Sequence, residues 1–339
     1  MNEPIYIKTK KIFSKPTQIR FDKAKVLDNL EKDIISHWGL WSKFQQAWLS
    51  SAYNTFRDLD KYVVMLYLLR DYWQNLSDKF MHMSMDSFYE LDDIIIEKIN
   101  LITISSELNI PKETIRRKIN ELQKDGILRR EGKQIILDKT CLQLQKPKIT
   151  LAILTKFIHI NSYNLRGEAW FGSEISQENV KQFIVKYFTI MWLRFLKLQI
   201  PFLIRHRNIF RDIETYVVWG NVASNHQYHL EKANNENLVK DEFLNSNYLD
   251  YITNIKVKRG VNASSIADIS RIPRATVIRK LKWLEKEKVL KKNKNIEYLM
   301  ARKGKVNKQI AENFKLTRVN VAEFLTDIFD YIKNSNFKI

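Results

Sequence analysis

The chain has 339 residues, room for two or three domains, and carries 57 Lys and Arg against 38 Asp and Glu, a formal net charge of +19. That excess favours a polyanionic partner, nucleic acid before membrane surface, although a generally basic composition explains the same number. One cysteine, Cys141, excludes an intramolecular disulfide and fits a reducing compartment, and with only 8 Gly and 6 Pro a mainly helical chain is expected.

The start, MNEPIYIKTKKIF, has no apolar run long enough for a signal peptide. Lys8, Lys10, Lys11 and Lys15 make residues 1–20 either a basic arm for a minor groove or backbone, or a tail without order. Residues 21–87 read as a helical block. It contains NTFRDLDKYVV (Asn54–Val64), which returns 154 positions later as NIFRDIETYVV (Asn208–Val218) with seven of eleven residues identical. Phe56, Leu59, Val63 and Leu66 form one apolar stripe, repeated by Phe210, Ile213 and Val217. A packing helix is expected there, with Arg57 paired to Asp60 and Arg211 to Glu214 along it. Trp38, Trp41, Trp48, Tyr72 and Trp73, then Trp170, Trp192 and Trp219, read as core; a ligand pocket or an interface between halves is the functional alternative.

A different module follows in residues 88–141. Ile102, Ile104 and Leu108 give a short helix its apolar face, and Asn109-Ile110-Pro111 makes a turn. A second helix from about Lys112 to Lys124 buries Ile115, Ile119 and Leu122 and turns Lys112, Glu113, Arg116, Arg117 and Asn120 outward. Asp125-Gly126 stops it. Ile127-Leu128 and Ile135–Leu137 then flank Glu131-Gly132-Lys133, a β-hairpin carrying Arg129, Arg130 and Lys133. A linker spans residues 142–150, and a second helical block spans 151–247. Its most apolar segment, Phe188–Ile204, contains Arg194, Lys197 and Gln199 and reads as a buried helix ending near Pro201, not a membrane span. The module then returns in residues 248–302. LNIPKETIRRKINELQKDGIL (Leu108–Leu128) matches SRIPRATVIRKLKWLEKEKVL (Ser270–Leu290) at an offset of 162. Arg274, Ala275, Ile278, Arg279 and Lys282 take the outer face, and Lys291, Lys292 and Lys294 surround the turn Asn293-Lys294-Asn295. In the tail, residues 303–339, Gln309–Phe329 echoes the same register. Its outer face carries Glu323 and Asp327 and no hairpin follows, so a helical cap or subunit interface is expected rather than a third copy.

Helix, turn, helix and basic hairpin form the winged helix-turn-helix pattern. IPKETIRRKINELQKDGIL resembles the recognition-helix region of bacterial winged-helix regulators, locally the cyclic-AMP receptor protein family, and is similar in the multiple-antibiotic-resistance and isocitrate-lyase regulator families. The resemblance covers about forty residues in each half, and no cyclic-nucleotide barrel precedes either copy. In the receptor family the basic residue, the Glu and the later Arg of this stretch read base edges, which implies Lys112, Glu113 and Arg117 here. The second copy keeps Arg274 and Arg279 but has Ala275 at the Glu position, so the two copies are expected to read different sequences. The chemistry is consistent: Arg can donate twice to guanine O6 and N7, and Glu can accept from cytosine N4. Arg116, Asn120, Ile278 and Lys282 complete the expected base-reading set. Thr114, Lys118, Arg129, Arg130 and Lys133, with Thr276, Lys280, Lys291, Lys292 and Lys294, are expected to meet phosphates. Residues 256–308 hold seventeen basic against four acidic residues and residues 101–137 eight against five, so the second module should supply more of the phosphate affinity.

Enzyme signatures are absent. His226 and His229 read as solvated loop histidines, not a metal pair, and Arg205, Arg207 and Arg211 around His206 as a phosphate-facing or packing patch. The expectation is a mainly α, internally duplicated protein with two winged helices acting as a pseudo-dimer. It would be a cytoplasmic, nucleoid-associated, sequence-specific double-stranded DNA-binding transcription regulator with no cofactor, metal or membrane, and with homodimerisation open. A replication initiator of the plasmid or phage type, which also resembles tandem winged helices, and a winged-helix scaffold that binds no DNA are the alternatives. The sequence names no effector.

Overall fold

The computed structural model describes residues 7–8, 20–96, 100–132, 134–138, 146–163, 175–236, 244–301 and 303–335. Most of the expected basic arm and of the linker before Lys146, together with Lys133 and Trp170, lie outside the described residues. The chain is mainly helical, as the composition led us to expect. In order come β1 (Ile7–Lys8), α1 (Lys23–Lys32), α2 (Ile34–Phe56), α3 (Leu59–Asp78), β2 (Met81–His82), α4 (Met85–Tyr89), β3 (Asp93–Ile96), α5 (Leu101–Leu108), α6 (Lys112–Lys124), β4 (Arg129–Glu131) and β5 (Gln134–Asp138). Then follow α7 (Lys148–Tyr163), α8 (Gln177–Lys186), α9 (Phe188–Phe210), α10 (Ile213–Asn235), α11 (Leu244–Asn254), α12 (Ala263–Ser270), α13 (Arg274–Lys286), β6 (Leu290–Lys292), β7 (Tyr298–Met300) and α14 (Lys305–Asn334). Adding 154 to the bounds of α1 and α2 gives those of α8 and α9; adding 162 to those of α5 and α6 gives those of α12 and α13.

The described residues form two compact units, each gathered from separate stretches of chain. One holds Asp60–Ile204 with the residues before Lys23 and after Ala322; the other holds Lys23–Leu59 with Arg205–Ala322. Neither unit is one half of the sequence. In the first, Trp73 meets Phe88 and Phe188 edge-on at 5.4 and 6.0 Å, and Phe195 meets Phe324 at 5.9 Å. The first-unit sheets are antiparallel: β1 pairs with β2, and β5 lies between β3 and β4 with Ile94 opposite Leu137 and Arg130 opposite Ile135. In the second unit α2 packs on α10. The side-chain ends of Glu231 and Gln46 occupy the space beside Gly39 and Gly220. Buried amides bind the pair: Asn221 donates to Gln46 Oε1 (3.2 Å) and Gln227 to the Ile35 carbonyl (2.8 Å).

The repeated N-x-F-R-D block is a corner between helices, not the interior of one. α2 ends at Phe56, Arg57 takes φ +55°, and α3 starts at Leu59. α9 likewise ends at Phe210, Arg211 takes φ +72°, and Asp212 caps α10 by accepting the Thr215 N–H at 2.7 Å. The apolar stripe is therefore shared by two helices, and in the second copy Arg211 and Glu214 take partners other than each other. Arg211 lies over the Trp283 ring (4.7 Å) and Glu214 accepts the Leu59 N–H at 2.8 Å. One further expectation needs correction. α9 does not end near Pro201 but runs through it to Phe210; the proline removes one helical N–H donor, while Leu198, Ile200, Phe202 and Leu203 remain buried around it. The tail from Lys305 to Asn334 is one unbroken helix, so it has no turn to form a third helix-turn-helix. Among the described residues, no single helix is long and apolar enough to cross a membrane.

Candidate nucleic-acid interface

In the first unit, Asn100 caps α5 by accepting the Ile102 and Thr103 N–H groups. Asn109, at φ +49°, ends that helix, and Pro111 (φ −53°) opens α6. Ile104, Leu108 and Ile110 pack with Ile115, Ile119 and Leu122, all buried. That packing turns Lys112, Glu113, Arg116, Arg117 and Asn120 outward, with Thr114 half-buried. Ile102 does not join the apolar face; it is 64% exposed, because Ile104 and Leu108 already fill the side towards α6. The outer face carries its own counter-ions. Arg116 pairs with Glu113 (2.9 Å) and Arg117 with Glu121 (3.6 Å). The hairpin gains a third strand that the sequence pattern did not reveal. β3 supplies Asp93, which takes Arg129 at 2.8 Å, and Glu131 takes the same guanidinium at 3.2 Å. Those two hydrogen bonds raise the Arg129 pKa further. Arg130 is exposed.

The second unit repeats the arrangement with different electrostatics. Asn262 caps α12 through the Ser265 N–H (2.9 Å), Arg271 ends it at φ +62°, and Pro273 (φ −53°) opens α13. Ile266, Ile272, Val277, Leu281, Leu284 and Val289 are buried, which leaves Arg274, Ala275, Arg279 and Lys282 exposed and Thr276 and Ile278 half-buried. Arg274 donates to Ser264 Oγ at 3.0 Å. Lys291, Lys292 and Lys294 are exposed on the following hairpin. Among the described residues, no ion pair engages Arg279, Lys282, Lys291, Lys292 or Lys294. The hairpin turn is longer than expected, running from Asn293 to Glu297.

Lys118 and Lys280 are not on the exposed faces. Lys118 is 7% exposed and holds Glu121 at 3.0 Å; Lys280 is 8% exposed and donates to Asp212 (2.6 Å) and Thr215 Oγ1 (3.2 Å). Both follow a surface arginine by one position, which rotates them about 100° towards the body of the unit. The phosphate role expected of them is withdrawn. His226 is no loop residue either: it is buried in α10. Its Nε2 accepts the Met300 N–H (3.0 Å) and its Nδ1 bonds the Ile252 carbonyl (2.8 Å), tying β7 to α10 and α11. Burial pushes its pKa down to about 4. The patch around His206 is packing. Arg205 Nε donates to Asn313 Oδ1 (2.8 Å), and His206, buried, bonds Asn313 Nδ2 (3.1 Å). Asp212 meets Thr215 within its own turn of chain, but its capture of Lys280, 68 residues away, left no mark in the sequence.

Among the described residues, no group of three or more His, Cys, Asp or Glu side chains is placed to hold a metal ion. Set against protein-family models, curated proteins and solved structures, the chain finds no match.

Proposed function

We propose that the chain is an internal duplication of a helical block followed by a winged helix-turn-helix, and that it binds double-stranded DNA as a sequence-specific regulator. The equal helix bounds at offsets 154 and 162 support the duplication, as do left-handed Arg57 and Arg211 at the two corners and the buried lysines at 118 and 280. The observation that carries the DNA reading is the row of exposed cations free of ion pairs in the second module: Arg279 and Lys282 on α13, with Lys291, Lys292 and Lys294 on the hairpin, among the described residues. A helix fits the major groove, and its first turns reach base edges. Arg279 is suited to donate to guanine O6 and N7, and the hairpin lysines to hold the backbone.

The first module contributes selectivity rather than affinity. Its Arg116 and Arg117 are tied to Glu113 and Glu121, and exposed pairs of this kind are worth only about 0–1 kcal/mol, so DNA can exchange them. Glu113 against Ala275 makes the two modules readers of unequal half-sites.

The test is selection of duplexes from a random-sequence pool by the full chain, followed by titration at several salt concentrations. A log–log slope of about −0.9 per neutralised phosphate is expected, with enriched sites whose two halves differ. A chain without salt-dependent affinity for any duplex overturns the reading and leaves the scaffold alternative. Genomic footprints at tandem origin repeats instead of promoters would make it a replication initiator.

A further inference from the structure

The hairpin between β6 and β7 contains a backbone conformation that folding alone does not favour. The Ile296 N–H meets the Asn293 carbonyl at 3.1 Å and closes a four-residue turn; Ile296 itself then takes φ +61°. Hairpin loops of this kind place glycine or asparagine at the left-handed position, and a β-branched residue there is an outlier. The tip of the first hairpin follows the usual rule, with Gly132 at φ +60°. Packing does not compensate Ile296, which is 65% exposed.

The surrounding hydrogen bonds hold it in place. Asn293 Oδ1 accepts the N–H groups of Asn295 (3.0 Å) and Glu297 (2.9 Å), and Asn293 Nδ2 donates to Glu297 Oε2 (2.9 Å). The same carboxylate oxygen accepts the Gly260 N–H at 3.1 Å, which anchors the loop to the chain entering α12. Strain of this kind survives only where neighbours over-determine it, and it concentrates at functional positions. Three exposed lysines, Lys291, Lys292 and Lys294, stand on the same hairpin. An apolar side chain projected rigidly from among cations has the chemistry of the wedges that minor-groove proteins insert between base steps.

We propose that Ile296 is such a wedge: the second wing enters a minor groove, its lysines on the phosphates and Ile296 against an opened base step, and bends the duplex. The proposal rests on the DNA reading above and adds to it a contact and a preference. Flexible TA or CA/TG steps should be favoured beneath the wing, although no base edge there is read by hydrogen bonds.

The test uses the full chain and its Ile296→Asn, Ile296→Gly and Ile296→Leu variants. The probe is a duplex of about 30 bp selected by the parent from a random pool and labelled at both ends so that energy transfer reports the bend. Asn and Gly accept φ +61° readily, so those variants should melt no lower than the parent. They should bind about tenfold more weakly and leave the duplex straight, while Ile296→Leu keeps the bend. If Ile296→Asn and Ile296→Gly bend the probe as the parent does, or if the parent leaves it straight, the wedge is overturned and the DNA reading stands. If the parent binds no duplex, both fall.

Discussion

Arg279 and Lys280 are neighbours in sequence with opposite surroundings. Arg279 is exposed, whereas Lys280 lies buried against Asp212 and Thr215. Arg279→Ala should cost about 1–3 kcal/mol on a selected duplex and little on a scrambled one, read by competition titration. Lys280→Ala should act on stability instead. Charged hydrogen bonds contribute about 1.5–3 kcal/mol, and the part-exposed Asp212 discounts this to about 2 kcal/mol, read as a lower urea midpoint. His226 and Glu214 act on the pH profile with opposite signs. His226 has its pKa lowered from 6.5 to about 4, chiefly by burial. The unfolded chain therefore takes the proton first. The stability His226 contributes is complete above about pH 6.5 and is lost as pH falls towards 4, a loss of about 3 kcal/mol. Glu214 is raised to about 7, chiefly by burial, so its carboxylate costs stability as pH rises from 4.5 through 7. His226→Gln should flatten the acid side of the urea-midpoint profile. Glu214→Gln, still able to accept the Leu59 N–H, should raise stability more at pH 8 than at pH 5.

At the scale of elements, the hairpin after α13 is the simplest to perturb. Lys291, Lys292 and Lys294 make no ion pair among the described residues, so replacing all three by Gln should leave the melting temperature nearly unchanged. It should weaken binding to every duplex and flatten the salt slope by about one unit per lost phosphate contact. A slope equal to the parent's removes this hairpin from the interface. The bounds of α6 and α13 were legible because an amphipathic helix writes its core at i, i+4 and i+7, and Pro111, Pro273 and Gly126 punctuate it. β3 was not legible. Its residues, Asp93–Ile96, are one acid and three consecutive isoleucines without alternation, and their partner β5 lies about forty residues on. The helix corners at Arg57 and Arg211 were missed for a related reason. An arginine carries no sequence mark of a left-handed backbone, so the continuous apolar spacing read as one helix.

For the whole molecule, the two compact units cut across the sequence halves. Severing the chain in residues 142–146 should therefore not release two folded halves. α2 would leave without α10, whose Asn221 and Gln227 bond it, and Trp73 without Phe188. We expect neither fragment to melt cooperatively by circular dichroism, and a mixture of the two to recover a cooperative transition. Cooperative melting of each fragment alone would mean that the halves, not the interleaved units, are the folding units.

The sequence alone determined the helical character, the two matching blocks, the outward faces of α6 and α13 and the surplus of charge towards residues 256–308. These are local properties, set by period, punctuation and composition within a few turns of chain. Only the tertiary structure decided which cations remain available. Lys280 pointed to phosphate until Asp212, 68 residues away, claimed it; His226 lost its solvent to α11 and β7; and α2 paired with α10 from the other half. The reason is physical: burial and pairing depend on groups tens to hundreds of residues away, and a side chain's charge is free to act on a partner only where no such group has met it first.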